Sequence, residues 1–121
     1  MLSRLRDLAG KGVQMTKEKN KSEMKYQIVS SFMPFDPEKI ILFGSHAKDD
    51  EDQYSDIDVI IVYSTSKPFL DRLKELYISW DIPKAIDILA YTPEEYQKMI
   101  LENSFLQDAV NDGEVLYERD S

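Results

Sequence analysis

Met24, Ile28, Val29 and Phe32 recur at intervals of three and four, the repeat of one helical face, and Pro34 and Pro37 bring that pattern to an end. Ile40 to Phe43 is a short unbroken apolar run, which predicts a buried strand. A polar loop follows. Asp56 to Tyr63 turns β-branched and apolar after its first residues and predicts a second strand, broken by Ser64, Thr65, Ser66 and Pro68. Phe69, Leu70, Leu73, Leu76, Tyr77 and Trp80 return to helical spacing, with Phe69, Tyr77 and Trp80 in a core-facing stripe. After a turn at Asp81 to Pro83, Ala85 to Tyr91 predicts a third strand, interrupted by the single charge of Asp87.

Thr92, Pro93 and Glu95 form the start signal of another helix: a capping hydroxyl, a proline at the first helical position and the acid that closes a capping box. Tyr96, Met99, Ile100, Phe105, Leu106, Ala109 and Val110 supply its apolar positions across one or two segments. Phe105 and Leu106 fit either a core or an exposed partner surface. Gly113 reads as a C-terminal cap and Glu114 to Glu118 as a short last strand. The order of elements predicts an α+β (α/β-like) domain with a small sheet. Leu2, Leu5 and Leu8 support one or two helical turns before Gly10 and Gly12, so residues 1–23 read as a partly flexible arm and 24–118 as the domain.

Composition narrows the chemistry. A chain of 121 residues suits one core. Its net charge of -8 repels nucleic-acid backbones and anionic membranes, so no direct nucleic-acid binding is expected. The one basic run, Lys17 to Lys25, fits a solvated helix start better than a phosphate-binding patch. With no cysteine, disulfides, thiolate metal sites and thiol catalysis are excluded. No segment has the length and apolarity of a membrane span or a signal peptide, and a cytoplasmic protein is expected.

Against this background Asp56 and Asp58 stand out, because carboxylates at the entrance of a core strand are expensive without a positive partner. Strand alternation puts both on one face, about 7 Å apart, a spacing that suits convergence on a small hard cation. Asp87 offers a third oxygen ligand from another strand. Three carboxylates without Cys or paired His select Mg²⁺ or Mn²⁺ over zinc. Gly44-Ser45 closes the first strand, where glycine permits close backbone approach and a hydroxyl with free amides suits a phosphate.

The stretches "ILFGSHA" (41–47), "SDIDVIIV" (55–62) and "IDILA" (86–90), with ten residues between Ser45 and Asp56, resemble the minimal nucleotidyltransferases of the DNA polymerase β-like superfamily; the close "NDGEVLYE" (111–118) is similar as well. The resemblance spans about residues 24–118. It implies a small mixed β-sheet with helices packed on one side, two divalent metals, and transfer of a nucleoside monophosphate from an NTP, ATP above all. Asp56 and Asp58 would hold both metals and Asp87 would complete the acceptor-side one. Gly44 and Ser45 would grip the β- and γ-phosphates, and Lys48 would stand in for an arginine as a point charge. Small members of the family are paired with HEPN-domain toxins, so the implied role is an antitoxin that transfers AMP to a HEPN partner protein.

The chain departs from the family's Gly-Ser-Arg-Ala-Arg-Gly at His46, Lys48 and Asp49, and Asp49 opens the acidic run Asp49 to Asp52. That run reads as a solvated loop, but facing the nucleotide it would repel a triphosphate. His46 reads as a loop residue near the site rather than a ligand. Two other functions therefore stand beside the first: an inactive antitoxin that acts by binding alone, and a nucleotidyltransferase for a small, antibiotic-type molecule from a dimeric or two-chain site. A homo-oligomer is compatible with each.

Overall fold

The computed structural model describes residues 13–48 and 55–120. Its elements are α1 (Val13–Phe32), β1 (Lys39–Phe43), β2 (Ile57–Val62), α2 (Phe69–Ser79), β3 (Ile86–Tyr91), α3 (Pro93–Glu102), α4 (Ser104–Asp112) and β4 (Glu114–Glu118), with single 3₁₀ turns at Met33–Phe35 and Gly44–His46. The proposed turns around Leu2, Leu5 and Leu8 and the acidic run Asp49 to Asp52 lie outside the described residues. The helix that carries Met24 and Ile28 begins at Val13, inside the segment read as an arm, and the Lys17 to Lys25 run falls within it.

The four strands form one mixed sheet in the order β3-β2-β1-β4. β1 runs antiparallel to both β2 and β4, and β2 runs parallel to β3 across the α2 connection. β1 and β2 are the central strands, which is why Ile40, Ile41, Leu42, Val59, Ile60 and Ile61 are all buried rather than alternating. At the edge strand β3 the pattern does alternate: Ile86, Ile88 and Ala90 are buried and Asp87 is exposed.

Helices cover both faces of the sheet, in contrast to the one-sided packing implied by the family resemblance. On one face Ile28 and Phe32 of α1 and Leu76 of α2 pack on Ile40, Leu42, Ile57, Val59, Ile61, Ile86, Ile88 and Ala90. On the other, Leu106 of α4 meets Ile41, Ile60 and Val62, joined by Tyr96, Met99 and Ile100 of α3. The physical reason is in the strands themselves. Central strands apolar on both sides need cover on both, and each Ile or Val removed from water stabilises the fold by roughly 1.5–3 kcal/mol.

Local details correct one expectation and refine two. In α2 the core-facing residues are Leu73, Leu76 and Trp80. Trp80 stacks on Phe32 with centroids 6.0 Å apart and donates Nε1–H to the Lys84 carbonyl oxygen at 2.7 Å. Phe69 and Tyr77 are instead partly exposed, and the Tyr77 hydroxyl accepts from Ile88 N on the open edge of β3 at 3.2 Å. Asn103 splits the last helical stretch in two, its Oδ1 accepting from Leu106 N at 3.0 Å as the cap of α4. Gly113 does end α4, yet its φ of -87° is not left-handed. Glycine is required because a Cβ would lie 2.6 Å from the Ala109 carbonyl oxygen and 2.7 Å from that of Leu42, where α4 turns tightly into β4.

The expected capping box forms, with Glu95 N bonded to Thr92 Oγ1 and Thr92 N to the Glu95 carboxylate. The same carboxylate takes a forked pair of hydrogen bonds from buried Arg72 of α2, at 2.6 and 3.1 Å, while Arg72 also donates to the carbonyls of Lys67 and Ala90. The Arg72 bonds hold Glu95 below the ordinary glutamate range, with help from the Thr92 amide. A carboxyl depressed on folding contributes stability above its unfolded pKa and loses it as pH falls through the folded value. Glu95→Gln preserves the cap but not the ion pair, so a loss of about 1–2 kcal/mol at neutral pH is expected, below the full cost of breaking a buried pair because Glu95 is partly exposed. In thermal melts the gap between variant and wild type should narrow as pH drops below the ordinary value of 4.5. A gap independent of pH would assign the loss to packing instead.

Candidate active site

Register alone brings two of the carboxylates together. β1 pairs Phe43 with Asp58, and β2 pairs Asp58 with Asp87. Neighbouring strands lie about 4.8 Å apart, so the side chains at positions 58 and 87 start from adjacent points on one face. By alternation that face is the one bearing Ile60, Val62, Leu89 and Tyr91, which α3 and α4 cover. Asp56 immediately precedes β2 and is exposed, Asp58 is half-buried and Asp87 is exposed. Burial raises the Asp58 carboxyl above the ordinary aspartate range, and the like charges of Asp87 and then Asp56 raise it further, with His46 partly offsetting them.

The 3₁₀ turn packs directly against this group. Gly44 has φ +75°, a left-handed conformation that L side chains rarely adopt, and a Cβ added there would fall well inside van der Waals distance of Asp58 Oδ2. Glycine at this position is favoured by its backbone angle, and the Asp58 carboxylate rests in the space a side chain would take. Ala47 N and Lys48 N bond back to the Gly44 carbonyl oxygen, closing the turn that carries Ser45. His46 is buried and donates Nε2–H to the Ser55 carbonyl oxygen at 3.2 Å, pinning the turn to the residue before Asp56. It lies in the turn beside the site, as expected, with its ring buried.

Between this turn and α4 lies a cleft of about 400 Å³, lined by Phe43, Gly44, Lys48, Asp58, Phe105, Asp108, Ala109 and Asp112. Lys48 lines it as expected of a phosphate contact, but its ammonium is held 3.7 Å from Asp112. Phe43, Asp108 and Asp112 were not singled out from sequence. The signal for the aspartates was present, since Phe105, Asp108 and Asp112 are spaced to share one helical face, yet such a face reads as solvated until the turn is seen opposite it. The alternatives left open for the Phe105-Leu106 pair resolve differently for each residue: Leu106 is buried in the core and Phe105 is 61% exposed in the cleft.

The donor set fits hard divalent cations: carboxylate oxygens only, with no lysine or arginine paired to Asp56, Asp58 or Asp87 among the described residues. Among those residues no group of three or more acidic or histidine side chains is placed to hold a metal ion by itself. No helix among the described residues is long and apolar enough to cross a membrane.

Comparison with known proteins identifies the family. The family model described as polymerase beta, nucleotidyltransferase, matches residues 26–121. A Methanocaldococcus jannaschii protein provisionally named protein adenylyltransferase is 26% identical over 93 residues, 76% of this chain and 97% of that one. A second protein of that organism with the same kind of name is 32% identical over 85 residues, 70% of this chain and 84% of its own. The Haemophilus influenzae probable protein adenylyltransferase MntA is 39% identical over 62 residues, 48% of this chain and 54% of that one. Among solved structures, a Sulfolobus solfataricus protein described as a nucleotidyltransferase superposes with a TM-score of 0.55 at 22% identity, covering 82% of this chain and 80% of that one. A toxin-antitoxin structure with AMP-PNP superposes with 0.56 at 18% identity, covering 79% and 74%. At these identities the two structures bear on the fold alone.

Proposed function

Since the chain belongs to the polymerase β nucleotidyltransferase family, as a minimal nucleotidyltransferase, we propose that it transfers AMP from ATP to a hydroxyl of a partner protein with Mg²⁺ as cofactor, and that the partner is a HEPN-domain toxin whose antitoxin it is. The observation that carries this reading is the contact between Gly44, in its left-handed turn, and Asp58, in register with Asp87. It sets a candidate phosphate turn against a candidate metal ligand with nothing between them. The names of the relatives support a protein acceptor, and a toxin-antitoxin structure of the same fold is compatible with the pairing.

In this scheme Asp56, Asp58 and Asp87 hold two Mg²⁺ ions, with Mn²⁺ as a substitute. When bound, the ions neutralise the triphosphate and lower the pKa of the attacking hydroxyl. Gly44 and Ser45 let the β- and γ-phosphates approach the backbone. Lys48 exchanges Asp112 for a phosphate oxygen, acting as a point charge where arginine would fork. The acceptor oxygen forms a bond to the α-phosphorus while the bond to the bridging oxygen breaks. Pyrophosphate leaves, and the hydroxyl proton passes to solvent. His46 takes no part, since its ring is buried against Ser55. Asp87 is exposed on the edge strand.

The test is incubation with ATP, Mg²⁺ and a candidate HEPN-domain partner, followed by intact mass measurement of both chains. AMP increments on the partner are expected. No added mass with ATP or any other NTP would overturn the transfer reading. Lysine in place of the family's arginine at position 48 favours a second reading, an antitoxin that acts by contact alone. The two separate in cells: Asp56→Asn loses neutralisation of the toxin under the first and retains it under the second.

A further inference from the structure

We propose that Phe105 is the nucleobase platform of this site, stacking the base of the NTP whose phosphates lie at Gly44-Ser45; the inference rests on that placement of the phosphates but not on the identity of the acceptor. Phe105 does no work in the core. Its neighbour Leu106 is 1% exposed and anchors α4 together with Ala109 and Val110, whereas Phe105 is 61% exposed at the mouth of the cleft. It is nevertheless held in place, because Phe43 meets it edge to face with centroids 6.2 Å apart at 89°. Phe43 directly precedes Gly44, so the ring that fixes Phe105 is joined to the phosphate turn. An exposed but fixed aromatic ring in the same cleft as a phosphate turn is the arrangement that base stacking requires.

The α4 wall carries Asp108 and Asp112 on the same helix as Phe105, and Lys48 reaches across from the turn to within 3.7 Å of Asp112. The carboxylates of that wall repel an anionic triphosphate, and a neutral base with its ribose is not repelled. Asp108, one turn beyond Phe105, can only accept hydrogen bonds when ionised, which suits ribose hydroxyls or an exocyclic amine. Purine nucleotides offer the larger stacking face and are the favoured class.

Calorimetric titration in Mg²⁺ with ATP and with inorganic tripolyphosphate tests this on the full chain. Phe105→Ala should weaken ATP binding roughly 5- to 100-fold, leave tripolyphosphate binding unchanged and lower the melting temperature only slightly, through the lost edge-to-face contact with Phe43. Phe105→Trp should restore ATP affinity; Phe105→Leu, of similar bulk but without a π-face, should not. Equal ATP affinity in Phe105→Ala and wild type overturns the platform. So does unchanged ATP affinity with a raised KM for the acceptor, which would make Phe105 a partner contact. A wild type that binds neither ligand overturns the phosphate placement as well as the platform.

Discussion

Asp58→Asn should reduce nucleotidyl transfer by at least about 10²-fold and at the same time raise the melting temperature of the metal-free protein. The two effects share one cause. The Asp58 carboxyl is raised by burial and by the charges of Asp87 and Asp56. A carboxyl raised on folding destabilises the fold as pH climbs through its ordinary value of 3.8, and the penalty is complete above the raised value. At neutral pH the penalty is present in full, and the isosteric amide removes it. It also removes the oxygen anion that a divalent ion needs. Mg²⁺ with ATP should therefore raise the melting temperature of the wild type and leave that of the variant where it was. Activity in Asp58→Asn within about threefold of wild type would show that the carboxylate is no ligand. A fall in metal-free melting temperature would show that the like charges are relieved in some other way.

Gly44→Ala is expected to separate stability from catalysis in the other direction. Forcing alanine into the left-handed region costs about 1–2 kcal/mol, a loss the fold can absorb. The new methyl group also meets Asp58 Oδ2. That atom is the end of a side chain, so the clash is relieved by turning the carboxylate away from its place beside Asp87. Displacing a reacting group by about 1 Å is enough to cost on the order of 10²-fold in rate. Transfer activity should fall at least that far while far-ultraviolet circular dichroism stays unchanged. Melts and transfer assays on the same preparation decide it: a variant that melts lower yet transfers normally would show that the turn supports the fold and not the chemistry.

Both variants act on residues that are legible in the sequence. Asp56, Asp58 and Asp87 could be picked out because charges in apolar runs contradict the pattern around them, and Gly44-Ser45 because its spacing from them matches a family. The strands and the capping box at Thr92 were legible for the same kind of reason: each rests on residues close together in the chain. The departures came where distant segments meet. The helices lie on both faces because α3 and α4 return over Ile41, Ile60 and Val62. Gly113 is needed for a close approach to Leu42, some seventy positions away, and not for a left-handed angle.

The sequence by itself determined the element order, the buried identity of the central strands and the residue types available for chemistry, since propensity, periodicity and charge are local properties of the chain. Only the tertiary structure decided which of those residues meet. Strand register set Asp58 opposite Asp87, the left-handed turn pressed Gly44 onto Asp58, and the fold of α4 onto β1 carried Phe105 and Asp112 to the far wall of the same cleft. Contacts across the chain depend on which apolar faces find each other, and a linear pattern states only that such faces exist.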